Sequence, residues 1–114
     1  MNYRIQIIVV SVLLLTHNTL AMDPPEDALT LSIYKMEVLS YCGLIDNRVS
    51  QGFKQERDFL ITKTAADDTQ IAKARSDAWQ AGLAEWQNRG LGGFKNWCRT
   101  EGIEAQQYFW DITD

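Results

Sequence analysis

Residues 67–88 read DDTQIAKARSDAWQAGLAEWQN, and this run decides the fold. It is rich in Ala, Gln, Lys and Arg, all good helix formers. Asp67 and Asp68 stand where a helix amino terminus favours negative charge. Ala72, Arg75, Trp79, Leu83 and Trp86 fall along one stripe of such a helix, and Trp79 and Trp86, seven apart, project in almost the same direction. Ala74, Ala78 and Gly82 make a second stripe, of small residues at every fourth position, which lets another helix approach closely.

The same period continues on both sides. Upstream, Asp46-Asn47 caps a helix over about residues 47–63, with Val49, Phe53, Leu60 and Ile61 facing one way and Phe59 beside them. The polar stretch from Thr62 to Asp68 is either a joint or a bend within one longer helix. Further upstream, Asp23-Pro24-Pro25-Glu26 carries a helix start signal, an Asp cap with Pro at the first helical position. The helix expected from Glu26 to about Leu44 has a broad apolar face built on Leu31, Tyr34 and Val38, widened by Leu29, Ile33 and Met36, which marks a central, well-buried element. Gly43 loosens or ends it. Downstream, Gly90 is a helix cap. Phe94, Trp97 and Cys98 open a short helix, Thr100 to Gly102 interrupts it, and Ile103 to Ile112 adds a last piece with Ala105, Tyr108 and Phe109 inward. No stretch keeps a period of two. The expected fold is all-α, a small bundle of four to five helices with one disulfide, after an N-terminal signal peptide.

The signal is read from residues 1–21. Met1-Asn2-Tyr3-Arg4 is short and basic, and Ile5 to Leu15 is an apolar core of about eleven residues. Thr16 to Ala21 is polar and ends small, with Thr19 and Ala21 before the cut. The alternative, an uncleaved anchor, needs roughly 20 apolar residues. Cleavage leaves a domain over residues 22–114. It also removes His17, the only histidine, and with it His-based acid–base catalysis and imidazole metal ligands. The remaining piece has lost only Arg4, so it holds 10 Lys and Arg against 15 Asp and Glu, a net charge of −5. That balance, without a basic stretch, is unsuited to nucleic acid and to anionic lipid.

Two cysteines remain, Cys42 and Cys98. In an oxidising compartment they have one possible pairing, closing a loop of about 56 residues. Cys-x-x-Cys spacing is absent, and two thiolates alone make a poor zinc site; free buried thiols are the alternative. No cofactor or metal is expected. The turn Gly90-Leu91-Gly92-Gly93 lacks the strand, lysine and hydroxyl of a phosphate loop and reads as a connector. Neither Tyr41-Cys42-Gly43 nor Phe94–Cys98 is specific enough to assign a family.

Function is carried by fewer signs. Trp79, Trp86 and Trp97 are expected in the core, packed over the disulfide. Three adjacent aromatics, Tyr108, Phe109 and Trp110, cannot all face inward on one helix. With Phe109 inward, Tyr108 or Trp110 stands at the surface, and exposed aromatics mark contact sites. The leading expectation is therefore an exported, periplasmic or secreted, non-enzymatic protein-binding module. It is an inhibitor, an immunity-type partner or an accessory subunit of a cell-envelope complex, with Tyr108, Trp110 and Asp111 as contact residues. The partner expected is another envelope or secreted protein, with no stable membrane insertion after signal cleavage. The alternative is a small-ligand binder with a pocket around Arg75, Trp79 and Trp86. A hydrolase using Glu101 and Glu104, three apart on a helix, is the third reading. The export reading is checked by mass: the native protein should begin at Met22 and expose no alkylatable thiol, and an intact Met1 with two free thiols contradicts it.

Overall fold

The computed structural model describes residues 27–89 and 92–114. The signal segment, the Asp23–Glu26 start and Gly90 of the glycine turn lie outside them. Every element described is helical: α1 (Ala28–Cys42), α2 (Asn47–Thr64), α3 (Asp68–Asn88), α4 (Gly93–Trp97), a π-helical segment (Cys98–Gly102) and α5 (Ile103–Ile112). The last three follow one another with right-handed helical backbone at each junction, so they form one rod. The described residues thus make four helices and no strand.

The helix starts are set by side-chain caps. The Asp27 carboxylate accepts from Thr30 N at 3.0 Å and from Thr30 Oγ1 at 2.9 Å, so α1 starts after Asp27, later than the Asp23 expected. Asp46 accepts from Val49 N at 2.7 Å and opens α2 where the sequence placed it. Asp67 and Gln70 form a reciprocal capping box at α3. Gly43 ends α1 in the left-handed region, at φ 67°. Ala65 takes the same conformation at φ 53°, so the polar stretch holds a true break, at residues 65–67, and not a bend.

α1 is the central helix, as its broad apolar face implied. It packs on α3, α2, the π segment and α5, and buries Leu29, Ile33, Tyr34, Val38 and Leu39. Against it lies the small-residue face of α3: Ala74, Ala78, Ala81 and Gly82 are all buried. The helices approach so closely that a Cβ on Gly82 would stand 2.9 Å from Glu37 Cβ. This arrangement corrects the expected orientation of α3. The two stripes compete for α1, and the small one wins because α1 already supplies the bulk. Trp79 is consequently turned out and is 53% exposed, instead of lying in the core. Phe59 on α2 is likewise exposed, although its neighbours Leu60 and Ile61 are half-buried.

A second cluster joins α1 and α2 to the last helix, around Leu39, Val49, Ala105 and Phe109. Phe109 is completely buried and meets Phe53 edge-on, with centroids 5.9 Å apart. Gly52 of α2 sits directly on the α5 backbone, where any Cβ would collide with the Phe109 carbonyl. The expected interruption at Thr100–Gly102 is a widened helical turn. Gly102 lies inside it against the disulfide, where a Cβ would be 3.2 Å from Cys42 Sγ.

Gly52→Ala is the sharpest test of this packing. Helix propensity alone favours Ala by about 1 kcal/mol. The collision is with backbone, so the substitution should instead lower stability by about 1–3 kcal/mol, read as a lower denaturant midpoint at unchanged slope.

Candidate functional site

The disulfide expected from the sequence is present: Cys42 and Cys98 are joined, with Cα atoms 5.4 Å apart. Around it the aromatic residues form a packed end. Trp86 stacks on Tyr41 at 4.9 Å and leans on Phe94 at 5.1 Å, while Tyr41 also meets Trp97, which is buried. Trp86 therefore belongs to the disulfide end and is not grouped with Arg75 and Trp79.

Arg75 and Trp79 line a different feature, a groove of about 510 Å³. Its floor is α1, through Leu29, Ile33 and Met36; its walls are Phe53 and Arg57 of α2 and Ile71, Arg75 and Trp79 of α3. The groove exists because α2 and α3 each pack on α1 and make almost no contact with one another. Its polar groups are few. Arg57 pairs with Asp58 at 3.2 Å and stands 5.5 Å from the Phe53 ring centre. Arg75 is exposed and forms no ion pair among the described residues. Glu37 is the carboxylate at the floor, and burial pushes its pKa above the ordinary value. Arg75 and Trp79 shared a stripe in the sequence, but Ile71 and the contribution of α1 and α2 were not read there.

The carboxy-terminal face is already engaged within the chain. Tyr108 is exposed, and its hydroxyl donates to Glu56 of α2. Lys35 of α1 sits 3.3 Å from its ring centre. Desolvation lowers the Lys35 pKa, against the opposing pull of Glu56. Trp110 is half-buried, and its indole N–H donates to both Asp46 oxygens at 3.2 Å. The Arg48 guanidinium lies 5.3 Å from the same ring. Asp46 is held below the usual carboxylate range, first by the Val49 amide and also by this indole. Asp111 is exposed and accepts from Gln107 at 2.8 Å. Phe109 points inward, as expected; Tyr108, read as inward with it on the last helix, is instead exposed, and Trp110 is half-buried. Truncation after Gln107 would remove that buried ring, so it would perturb the fold as well as the surface.

Glu101 and Glu104 share the wall of a smaller cleft, about 290 Å³, with Tyr34, Lys35 and Tyr108. Glu101 accepts from Tyr34 Oη and from Trp97 Nε1, each at 2.9 Å. Both donors come from buried residues, so the carboxylate ties α1 to the last helix. Among the described residues no group of three or more His, Cys, Asp or Glu side chains is placed to hold a metal ion. No described helix is long and apolar enough to cross a membrane. No family model, curated protein or solved structure matches the chain.

The two tyrosines hydrogen-bonded to carboxylates fix the alkaline behaviour. Burial and then Glu101 push Tyr34 far above the ordinary phenol value, and burial and then Glu56 push Tyr108 from 10.0 up to about 12. Between those values an unfolded chain has lost the Tyr108 proton that the folded chain keeps. The folded state binds more protons, so stability should fall as pH rises from 10 to 12. Tyr108→Phe should flatten part of that fall, measured as denaturant midpoint against pH, and Tyr34 should be late to show phenolate absorbance.

Proposed function

We propose that this chain is an exported, non-enzymatic module that binds another protein. In that role it is an inhibitor or immunity-type partner, or an accessory subunit of an assembly in the cell envelope or secreted fraction. The observation that carries the reading is Trp79: a large ring, 53% exposed, on the rim of an apolar groove that the described chain leaves open. Indole rings at the edge of such grooves are favoured contact residues, because they bury much area and lose little conformational entropy. The disulfide fits an oxidising compartment. Among surface aromatics, Trp79 is a better contact than Tyr108 or Trp110. Its flat face has no cation over it among the described residues, whereas Tyr108 and Trp110 already hold Lys35 and Arg48.

A small-ligand reading is favoured by one observation, the groove volume, which falls within the roughly 300–1,000 Å³ of ligand pockets. Its site would be Arg75 and Trp79 without Trp86. The experiment that decides is a photo-crosslinking side chain placed in turn at Trp79, Phe59 and Tyr108 in the producing cells. A discrete protein adduct from position 79, absent from 59, is the expected result. An adduct from 108 alone moves the contact to the α5 face. Absence of any protein adduct at all three positions overturns the protein-binding reading.

A further inference from the structure

Among the described residues the groove has the form of an unfilled bundle position. α1 packs against both α3 and α2, while α2 and α3 make almost no contact with one another. On the floor, Leu29, Ile33 and Met36 are spaced by four and then three residues. That spacing is the seam on which one helix seats against another. On the walls, the exposed hydrophobic ring of Trp79 and the half-buried Ile71 extend the apolar surface upward. A further helix laid along this seam would complete a four-helix arrangement around α1.

The charge at the rim narrows what that helix is. The chain carries a net charge of −4, yet the groove has a guanidinium on each wall, Arg57 on α2 and Arg75 on α3. Among the described residues Glu37, on α1, is the one carboxylate that lines it. Arg57 is partly satisfied by its neighbour Asp58, and Arg75 has no anionic partner among the described residues. An occupant with acidic flanks is drawn to this rim; one with basic flanks is repelled by it. The chain's own apolar leader does not match: residues 1–21 include Arg4 and no carboxylate.

We propose that the groove between α1, α2 and α3 takes an amphipathic helix of a partner protein, its apolar stripe seated on Leu29, Ile33 and Met36 and its flanking carboxylates meeting Arg57 and Arg75. This deepens the protein-binding reading and rests on it. The mode is helix-in-groove recognition, in which apolar anchors give affinity and the edge charges give orientation and choice of partner.

The test uses the exported protein with its disulfide intact and two synthetic helical peptides. One has leucines at heptad spacing flanked by glutamates; its twin has lysine at every glutamate position. Binding is read from the emission of Trp79, with Trp79→Phe protein as the control for the other indoles. The glutamate peptide should produce a saturable blue shift and bind roughly five- to tenfold tighter than its twin at low salt. The difference should shrink as salt is raised. Arg75 is exposed, so Arg75→Glu should keep the helical circular dichroism and reverse the preference. Equal binding of the twins, no binding of either, or a preference that survives Arg75→Glu overturns the proposal. So does a decanoate-induced shift that matches and blocks the peptide's, which would make the site one for small amphiphilic anions, or concentration-dependent dimerisation that buries Trp79. The outcomes separate from those of the crosslinking experiment. An adduct at position 79 with no peptide preference retains protein binding and removes this occupant. No adduct at any position removes the protein-binding reading and this occupant with it, whatever the peptides show.

Discussion

Cys42 is the last residue of α1 and Cys98 the first of the π segment, so one covalent bond ties the end of the central helix to the middle of the last one. The loop it closes spans 56 residues and contains all of α2 and α3. Chain entropy credits a loop of that length with roughly 4 kcal/mol, a large share of the stability of a small domain. The geometry around the bond follows from it. Gly102 is pressed toward Cys42 Sγ and admits no Cβ without displacement. The helix widens by a residue there, which keeps Trp97 and Glu101 facing α1, and Tyr34 and Trp97 then converge on the Glu101 carboxylate. A buried hydroxyl and a buried indole N–H are both satisfied by one acceptor, which avoids the cost of leaving either unpaired in the core.

From that anchored end the helices spread according to residue size. α3 can lie close to α1 because it offers Ala74, Ala78 and Gly82. α2 can lie close to α5 because Gly52 lets the Phe109 backbone through. These two close contacts pull α2 and α3 toward different partners, and each moves away from the other. The groove between them is thus a product of where the chain is small. Filling it from within would require α2 to leave α5, at the expense of the cluster around Phe109 and Val49.

Much of this was legible in the sequence, and the parts that were not share a cause. Asp46 and Asp67 mark their helix starts by chemistry local to one turn, so they could be read without tertiary knowledge. The pairing of Cys42 with Cys98 followed from there being no other choice. The inward face of α3 could not be read in the same way. A stripe of Trp79, Leu83 and Trp86 outweighs one of Ala and Gly on any hydrophobic scale, and only the bulk of Ile33, Tyr34 and Glu37 opposite decides for the smaller. The site was half legible for the same reason. Arg75 and Trp79 share a helix face and stand together in the groove, whereas Trp86, about two turns further on, comes within reach of Tyr41 and Phe94 and joins them.

The two aromatic surfaces now differ in kind. On the α5 face each ring has a chemical role inside the chain: Tyr108 is held by Glu56 and Lys35, and Trp110 by Asp46 and Arg48. Arg48 also reaches Thr113 and Asp114, closing the carboxy terminus over the start of α2. Such a surface is a staple, and binding there would first have to disrupt contacts that hold α5 to α2. Trp79 has no comparable tie among the described residues, and neither has Arg75. A partner docking on them would gain burial of the indole and a charge pair without breaking a side-chain tie among the described residues. That asymmetry, and not the number of exposed aromatics, is the physical ground for the proposal that recognition falls on the face where α2 and α3 part.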